Sequence, residues 1–253
     1  MLRTRYDNMT ELELKDAVLT FFRLAQDFSS QSSDAHYSYN ALLPRLNFLK
    51  NLPRNSTLLD LGAGDGSLST YREWPLNPRL DIRLLALSLS KGEMFNKYDG
   101  FELKNFETDP DIFSNERIDA VVCCHFIEHM TNPEPTIKFL ANRLGSGGRI
   151  YLEWPHVLSK KMPQRQWLVD NGVNISTTRS DDDGTHIEAW DIGQIQSLIE
   201  ANGFYVEATA RIVLPDVADR MRDVSKKNND VVGNTLAFWA KFGWSQYLIA
   251  ERI

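Results

Sequence analysis

Three alternating glycines follow an acidic residue between Leu58 and Leu68, in the order Leu-Leu-Asp-Leu-Gly-Ala-Gly-Asp-Gly-Ser-Leu. The apolar residues before Asp60 are typical of a buried parallel strand. Glycines at alternate positions permit positive φ angles and let a ligand approach the main chain, and the next residues can begin a helix whose N–H groups face that ligand. The Gly-x-Gly-x-Gly spacing is one residue shorter than the dinucleotide-binding turn. We predict a nucleotide-type ligand here, with a purely structural turn as the alternative.

A second group of reactive side chains comes directly after the apolar run Ile118–Cys124 and contains His125, Glu128 and His129. If a helix begins here, the two histidines share one face and Glu128 lies beside them. Histidine accepts protons near neutral pH, so His125 is a candidate general base. Glu128 and His129 can instead bind a metal ion, or simply cap the helix and bond the backbone.

Two further histidines follow polar or strand-like segments. His186 ends the acidic loop Asp181–Thr185, and His156 follows a predicted strand. His186 is a second candidate base, and it can also complete a metal site with Glu128 and His129. The acids can hydrogen-bond a polyhydroxylated substrate, and the alternative is a solvated loop.

The composition disfavours several classes of protein. The chain has 28 Lys and Arg against 34 Asp and Glu, a formal charge of −6, whereas broad nucleic-acid binding requires many cationic contacts to phosphate. The sequence contains no run of about 18 apolar residues, so we predict no membrane span. The first residues lack the apolar core of a secretory signal. Cys123 and Cys124 are expected to be small buried side chains, and without a disulfide framework we expect a cytoplasmic location.

Alternating strands and helices must position these side chains. The helix over residues 10–27 is predicted to begin with a capping box of Thr10 and Glu13. Besides the strand before the glycines, we predict strands at Ile82–Leu87, Ile118–Cys124, Arg149–Trp154, Phe204–Leu214 and Gly243–Ala250, and further helices at Ala41–Leu52, Thr136–Leu144 and Asp191–Asn202. This alternation predicts a parallel sheet covered on both faces, with an antiparallel pair at its edge.

Three segments resemble the motifs of class I S-adenosylmethionine-dependent methyltransferases: Leu58–Leu68, Ile118–His129 and Leu144–Trp154. Their order and spacing are similar to those of the first, fourth and fifth strands of that family. The segment His-Phe-Ile-Glu-His resembles a subgroup that includes ubiquinone-pathway O-methyltransferases and small-RNA 2′-O-methyltransferases. The resemblance implies an α/β fold with a Rossmann-like, doubly wound, mostly parallel seven-stranded sheet, an antiparallel edge strand and N-terminal helices.

The resemblance also implies a domain organisation and a cofactor. We expect one methyltransferase domain over residues 1–253, with an N-terminal helical cap (1–52), a cofactor-binding core (53–212), and an insertion with the edge strand (213–253). The cofactor would be S-adenosylmethionine. Its methionine half would lie close to Gly62, Ala63, Gly64 and Gly66, its amino group near Asp60, and its sulfonium near Cys124 and His125. An ammonium pairs well with a carboxylate, and a carboxylate with main-chain N–H groups.

Four positions depart from the family pattern. In the family the second strand usually ends in an acid that binds both ribose hydroxyls, and here that position is Ser88. A neutral hydroxyl is a weaker hydrogen-bond acceptor than a carboxylate, although Glu93 in the following turn can supply a carboxylate instead. Asn105 and Phe106 replace the usual acid and small residue at the adenine; an amide can still bond an amino group, and a ring can pack on a purine. His125 replaces a Glu that binds metal in the small-RNA enzymes. Because Mg²⁺ prefers oxygen ligands, this replacement argues against a hard-cation site, and a divalent metal is kept only as an alternative.

We predict methyl transfer to a hydroxyl oxygen of a small or saccharide-type acceptor, with His125, Glu128, His129 and His186 as catalytic candidates. Trp154 and the C-terminal aromatic residues are either core residues or platforms for a sugar ring. The rival predictions are a catalytically decayed cofactor-binding or scaffold protein and a 2′-O-type RNA methyltransferase. A nicotinamide oxidoreductase would need the longer glycine spacing and an acid at the end of the second strand, which this chain lacks.

Overall fold

The computed structural model describes residues 4–24 and 32–253, and within them a seven-stranded sheet with the strand order β3-β2-β1-β4-β5-β7-β6. The strands are β1 (Thr57–Leu61), β2 (Arg83–Ser88), β3 (Gly100–Leu103), β4 (Ile118–Cys124), β5 (Leu144–Pro155), β6 (Phe204–Arg211) and β7 (Ser245–Arg252). Strands β1 to β5 pair in parallel, as predicted. Because the strand order reverses between β1 and β4, this is the position at which open parallel sheets bind ligands.

Strands β6 and β7 form the predicted antiparallel edge. The N–H of Ile212 donates to the carbonyl of Ser245, and the N–H of Ile253 donates to the carbonyl of Gly203. The end of each strand therefore faces the beginning of the other. The predicted Rossmann-like fold with a mixed, mostly parallel sheet is confirmed.

The helices are α1 (Glu11–Arg23), α2 (Ser32–Leu42), α3 (Pro44–Lys50), α4 (Glu134–Arg143), α5 (Arg165–Asp170), α6 (Ile192–Ala201), α7 (Pro215–Asn228) and α8 (Val231–Phe242). Helix α1 begins with the predicted capping box, in which Thr10 and Glu13 each accept from the other's backbone N–H. The predicted helix over Ala41–Leu52 is wrong in one respect. The chain breaks between α2 and α3 because Pro44 lacks an N–H and restricts the residue before it.

Two local elements differ from the sequence prediction. The segments after β1 and β2 are short 3-10 helices, Ser67–Arg72 and Phe95–Lys97. Strand β3 was not predicted, since its four residues alternate between half-buried and exposed and carry no long apolar run.

The chain divides into two compact units. The first contains residues 1–43, 155–191 and 210–246, and the second contains residues 44–154, 192–209 and 247–253. The predicted single domain with its cap, core and insertion stays a prediction. None of the described helices has the length and apolar character needed to cross a membrane.

The second unit has its core on the faces of β1 and β4. Leu58, Leu59 and Val122 are almost completely buried, and Asp60 pairs in register with Val122. This register brings the carboxyl ends of β1 and β4 side by side. Polar residues at these two ends therefore share one edge of the sheet.

The first unit has an aromatic core. Phe238, Phe242 and Trp244 are buried, and the rings of Trp239 and Trp244 stack with their centroids 4.2 Å apart. The indole nitrogens of the two tryptophans donate to main-chain carbonyls. The C-terminal aromatic residues are thus mainly core, the first of the two predicted alternatives.

Candidate functional site

The glycine turn after β1 exposes main chain where a ligand can approach. Gly62, Gly64 and Gly66 all have positive φ, at +83°, +56° and +86°. A Cβ added at Gly64 would meet no atom within 4 Å, whereas one at Gly62 would lie 2.6 Å from Cδ2 of Phe126. The glycines are therefore required for two reasons, the left-handed backbone and the close packing at Gly62. The open side of Gly64 fits the predicted approach of the cofactor.

The loop after β2 holds this turn in place. The N–H of Met94 donates to the carbonyl of Asp65 over 2.9 Å, and a Cβ added at Gly92 would lie 2.5 Å from the carbonyl oxygen of Gly64. The N–H groups of Gly62 and Ala63 also donate to a β2 carbonyl. Sequence analysis missed Gly92, because a single glycine in a polar loop carries no distinctive signal.

Asp60 is a buried carboxyl group one residue before the end of β1. Its Oδ2 accepts a hydrogen bond of 2.5 Å from the hydroxyl of Tyr98, which is also buried. Burial raises the pKa of Asp60 to about 7, although the Tyr98 hydrogen bond opposes the shift. A ligand ammonium beside this carboxylate would restore its charge. The group therefore fits the amino end of S-adenosylmethionine, and Tyr98 is a partner that sequence analysis missed.

The predicted ribose and adenine residues lie along the ends of β2 and β3. Ser88 is the last residue of β2, and Glu93 is an exposed residue of the following loop. The side chain of Asn105 accepts from the N–H of Glu107, and the buried ring of Phe106 packs edge-on against Phe139. Position 88 thus offers a neutral hydroxyl where a carboxylate is usual in the family. The assignments of these residues stay predictions.

His125 lies between two buried carboxylates at the end of β4. Its Nδ1 is 3.1 Å from Oε1 of Glu128, and its Nε2 is 3.4 Å from Oε1 of Glu153. Burial lowers the pKa of His125, but the hydrogen bonds and charges of the two carboxylates outweigh it and raise the pKa to about 9. The imidazole is therefore mostly protonated at neutral pH. His125 also has a φ of +52°, an uncommon backbone state for a non-glycine residue, which clusters at functional sites.

Glu153 connects His125 to two further side chains. Its Oε2 accepts a hydrogen bond of 2.7 Å from the hydroxyl of Tyr151, and its Oε1 is 3.7 Å from Nη2 of Arg45. Burial raises the pKa of Glu153, but the positive charges of Arg45 and His125 prevail and lower it to about 2. Glu153 was not among the predicted site residues. The acid inside an apolar run, Tyr-Leu-Glu-Trp, is the signal that could have identified it.

The predicted helix at residues 125–129 is a single 3-10 turn, Ile127–His129. Glu128 is fully buried within it and His129 is half-buried. Cys124, just before His125, is also half-buried, and burial raises the pKa of its thiol well above the ordinary value. The turn thus brings His125 and Glu128 together. The catalytic roles of Glu128 and His129 stay predictions.

The acidic loop of the first unit is held by its own hydrogen bonds. The carboxylate of Asp182 accepts from the N–H groups of Thr178 and Arg179, and Asp183 accepts from Thr185. Nδ1 of His186 is 2.7 Å from the carbonyl oxygen of Ser180. The hydrogen bonds of Asp182 therefore stabilise the conformation of the loop, and its carboxylate is not simply solvated.

Two sequence candidates have structural surroundings that argue against chemistry. Nδ1 of His156 accepts from the N–H of Leu158, and burial lowers the pKa of His156 to about 4, so this ring caps a 3-10 turn as a neutral group. The suggested sugar contact of Trp154 is wrong, because its side chain is fully buried. Because His186 lies in the first unit and Glu128 and His129 in the second, a metal site shared by the three stays a prediction.

Comparisons with known proteins identify the family and the fold of the chain. A family model described as a methyltransferase domain matches residues 33–209. No curated protein matches the chain. An S-adenosylmethionine-dependent methyltransferase from Mesorhizobium loti is 14% identical with a TM-score of 0.54, over 83% of this chain and 96% of that chain. A SAM-dependent methyltransferase from Archaeoglobus fulgidus is 15% identical with a TM-score of 0.52, over 92% and 99%. A cyclopropane synthase from Mycobacterium tuberculosis is 16% identical with a TM-score of 0.51, over 99% of both chains.

Proposed function

The chain belongs to the class I S-adenosylmethionine-dependent methyltransferases, and on that premise we propose that it methylates a hydroxyl oxygen of a small or saccharide-type acceptor. S-adenosylmethionine is its cofactor and supplies an electrophilic methyl group when bound. The observation that carries the choice of oxygen is His125 between two buried carboxylates. A hydroxyl nucleophile must lose its proton during transfer, and this imidazole is a candidate to accept it.

The proposed cofactor contacts follow from the surroundings of each group. Asp60 would hold the amino group, because an ammonium stabilises its buried carboxylate. The open main chain at Gly64, together with Ala63 and Gly66, would lie against the methionine half. Ser88, Asn105 and Phe106 would serve the ribose and adenine with fewer charged contacts than usual in the family.

The proposed base carries a consequence for the pH dependence. Glu128 and Glu153 stabilise the protonated form of His125, and for the same reason they make its neutral form a stronger proton acceptor. With a pKa of about 9, about one imidazole in a hundred is neutral at pH 7, and that fraction grows about tenfold per pH unit. The rate of methyl transfer should therefore rise from pH 7 towards pH 9.

The saccharide part of the acceptor assignment depends on the polar side chains of one loop. Trp154 is fully buried, and the carboxylate of Asp182 is used by backbone N–H groups of its own loop. His186, Asp181 and Asp183 remain as proposed polar contacts. The screen for acceptors should therefore include simple alcohols and phenols as well as sugars.

The test combines cofactor binding with a transfer assay. Calorimetry with S-adenosylmethionine and S-adenosylhomocysteine measures binding, and labelled methyl transfer to the acceptor panel is then followed from pH 6 to pH 9. We expect His125→Gln to bind cofactor but to lose most transfer. The matched control is His36→Gln, which removes a partly exposed histidine of the first unit. Undiminished transfer by His125→Gln, or methylation of amines alone, would refute the proposal.

A second candidate is a cofactor-binding protein without turnover. The neutral Ser88 at the proposed ribose end and the unusual Asn105 at the proposed adenine end favour it. Tight binding without transfer to any acceptor, RNA included, would support this alternative. Repeating the assay with added Mg²⁺ and with a chelator tests the predicted metal role of Glu128, His129 and His186.

A further inference from the structure

A cavity of about 640 Å³ opens at the amino-terminal edge of the sheet in the second unit. It lies at the beginnings of β1, β4 and β5, opposite the carboxyl ends that carry Asp60 and His125. Its lining includes Arg54, Arg117, Arg143, Arg149 and the loop Gly145–Gly148. The cavity is within the size range of small-ligand sites, and the proposed methyl-transfer chemistry does not use it.

The glycine loop leaves the sheet at this cavity. Ile118 pairs with Leu144 and Ala120 pairs with Arg149, so four residues of β5 stand opposite the single residue Asp119. Gly147 has a φ of +80°, and neither it nor Gly145 has an atom within 4 Å of an added Cβ. The loop therefore presents main chain without side-chain cover. Such loops suit the oxygen atoms of an anion.

The arginines leave uncompensated positive charge around the cavity. Arg117 pairs with Asp119 and Arg149 pairs with Glu207. Nη2 of Arg143 instead donates to two neutral main-chain carbonyls, over 2.6 and 3.2 Å, which fixes the group without neutralising it.

Arg54 is exposed and has no ion-pair partner in the part of the chain that the structure describes. The chain as a whole carries a net charge of −6, so two uncompensated cations beside one cavity oppose its general charge. The uncompensated charges of Arg54 and Arg143, set against the negative charge of the rest of the chain, favour an anionic ligand at this cavity.

We propose that this cavity binds the phosphate groups of a small phosphorylated molecule, with Arg54 and Arg143 as the charged contacts and the loop Gly145–Gly148 as the main-chain contact. Guanidinium groups bind phosphate through paired, charge-assisted hydrogen bonds. A free diphosphate and a nucleoside diphosphate share this chemistry. Pyrophosphate and ADP therefore serve as separate probes.

Titration calorimetry of the full chain with each probe is the direct test, and it does not depend on methyl transfer. We expect saturable binding that weakens as salt is added, and about a tenfold loss of affinity in Arg54→Gln, the scale of one hydrogen bond between charged groups. Lys138→Gln is the control, because it removes one positive charge from an exposed pair on α4. Pyrophosphate binding as tight as ADP binding assigns the site to the diphosphate alone, and tighter ADP binding adds the nucleoside.

A second variant guards against an indirect effect of the first. Gly147→Asp places a carboxylate on the open side of the loop, and aspartate tolerates the left-handed backbone better than most residues. We expect it to abolish binding of both probes while the melting temperature stays within a few degrees of the original chain. No saturable binding at about 1 mM probe, or equal affinities for Arg54→Gln and Lys138→Gln, would overturn the proposal.

Discussion

Replacing Glu153 by glutamine should lower the pKa of His125 from about 9 towards its ordinary value of 6.5. Glutamine keeps the shape of the side chain and can still accept from Tyr151, but it removes the negative charge 3.4 Å from the imidazole Nε2. Glu128 remains on the other side of the ring. An opposite charge at this distance shifts a pKa by about 1 to 3 units, so we expect a fall of about 1 to 2 units.

The shift also predicts how stability depends on pH. A rise from 6.5 to about 9 corresponds to about 3 kcal/mol in favour of the folded, protonated state. Because the folded pKa is the higher one, this contribution is complete below pH 6.5 and is lost as the pH rises through 9. The free energy of unfolding should therefore decrease over this range by about 3 kcal/mol in the original chain, and by about half as much in Glu153→Gln. The low pKa of Glu153 reflects the same ion pair and adds nothing in this window.

The assay is an NMR titration of the imidazole carbon signals, supported by urea unfolding at several pH values. The chain has five histidines, and the His125→Gln variant identifies the signal of interest. Glu107→Gln, which removes an exposed carboxylate from the loop after β3, is the matched control. The reasoning fails if His125 titrates at or below 6.5 in the original chain, or if Glu153→Gln and Glu107→Gln leave its pKa equally unchanged.

Three further predictions concern the glycine turn, the hydrogen bond between Tyr98 and Asp60, and the core of the first unit. Gly62→Ala should lower the free energy of unfolding in urea by about 1 to 3 kcal/mol more than Gly64→Ala does. Both glycines have positive φ, but only the Cβ at position 62 would meet an aromatic ring, at 2.6 Å. Equal losses in the two variants would count against this contact. Tyr98→Phe removes the hydrogen bond that opposes the rise in the pKa of Asp60. The loss of unfolding free energy in urea should reach about 1 to 3 kcal/mol at pH 8, where Asp60 is ionised, and should be smaller at pH 5. A loss independent of pH would contradict this. Trp244→Ala should lower the unfolding free energy by about 3 to 5 kcal/mol in a thermal or urea melt, because its buried ring stacks on a second tryptophan; a loss below about 1 kcal/mol would show that the ring contributes little to the core.

The sequence alone was sufficient for the features that depend on neighbouring residues. The capping box of Thr10 and Glu13 spans a single turn of helix, and the apolar runs of β1, β4 and β5 are continuous along the chain. The three glycines after Asp60 mark a left-handed turn, because few other residues adopt that backbone conformation repeatedly. These local patterns, read in order, were enough to predict six of the seven strands and the position of the glycine turn, but not the short, half-exposed β3. They failed at Pro44, where a break between two helices was not recognised.

Only the tertiary structure decided the electrostatic state of the site. Glu153 of β5 reaches a histidine at the end of β4, and Glu153 is itself contacted by Arg45 of α3 and by Tyr151. The hydroxyl of Tyr98 reaches Asp60 from 38 residues away in the chain. A pKa depends on burial and on charges within a few ångströms, and neither follows from residue order. The sequence therefore determined which residue types stand at the strand ends, and the fold determined the raised pKa values of His125 and Asp60.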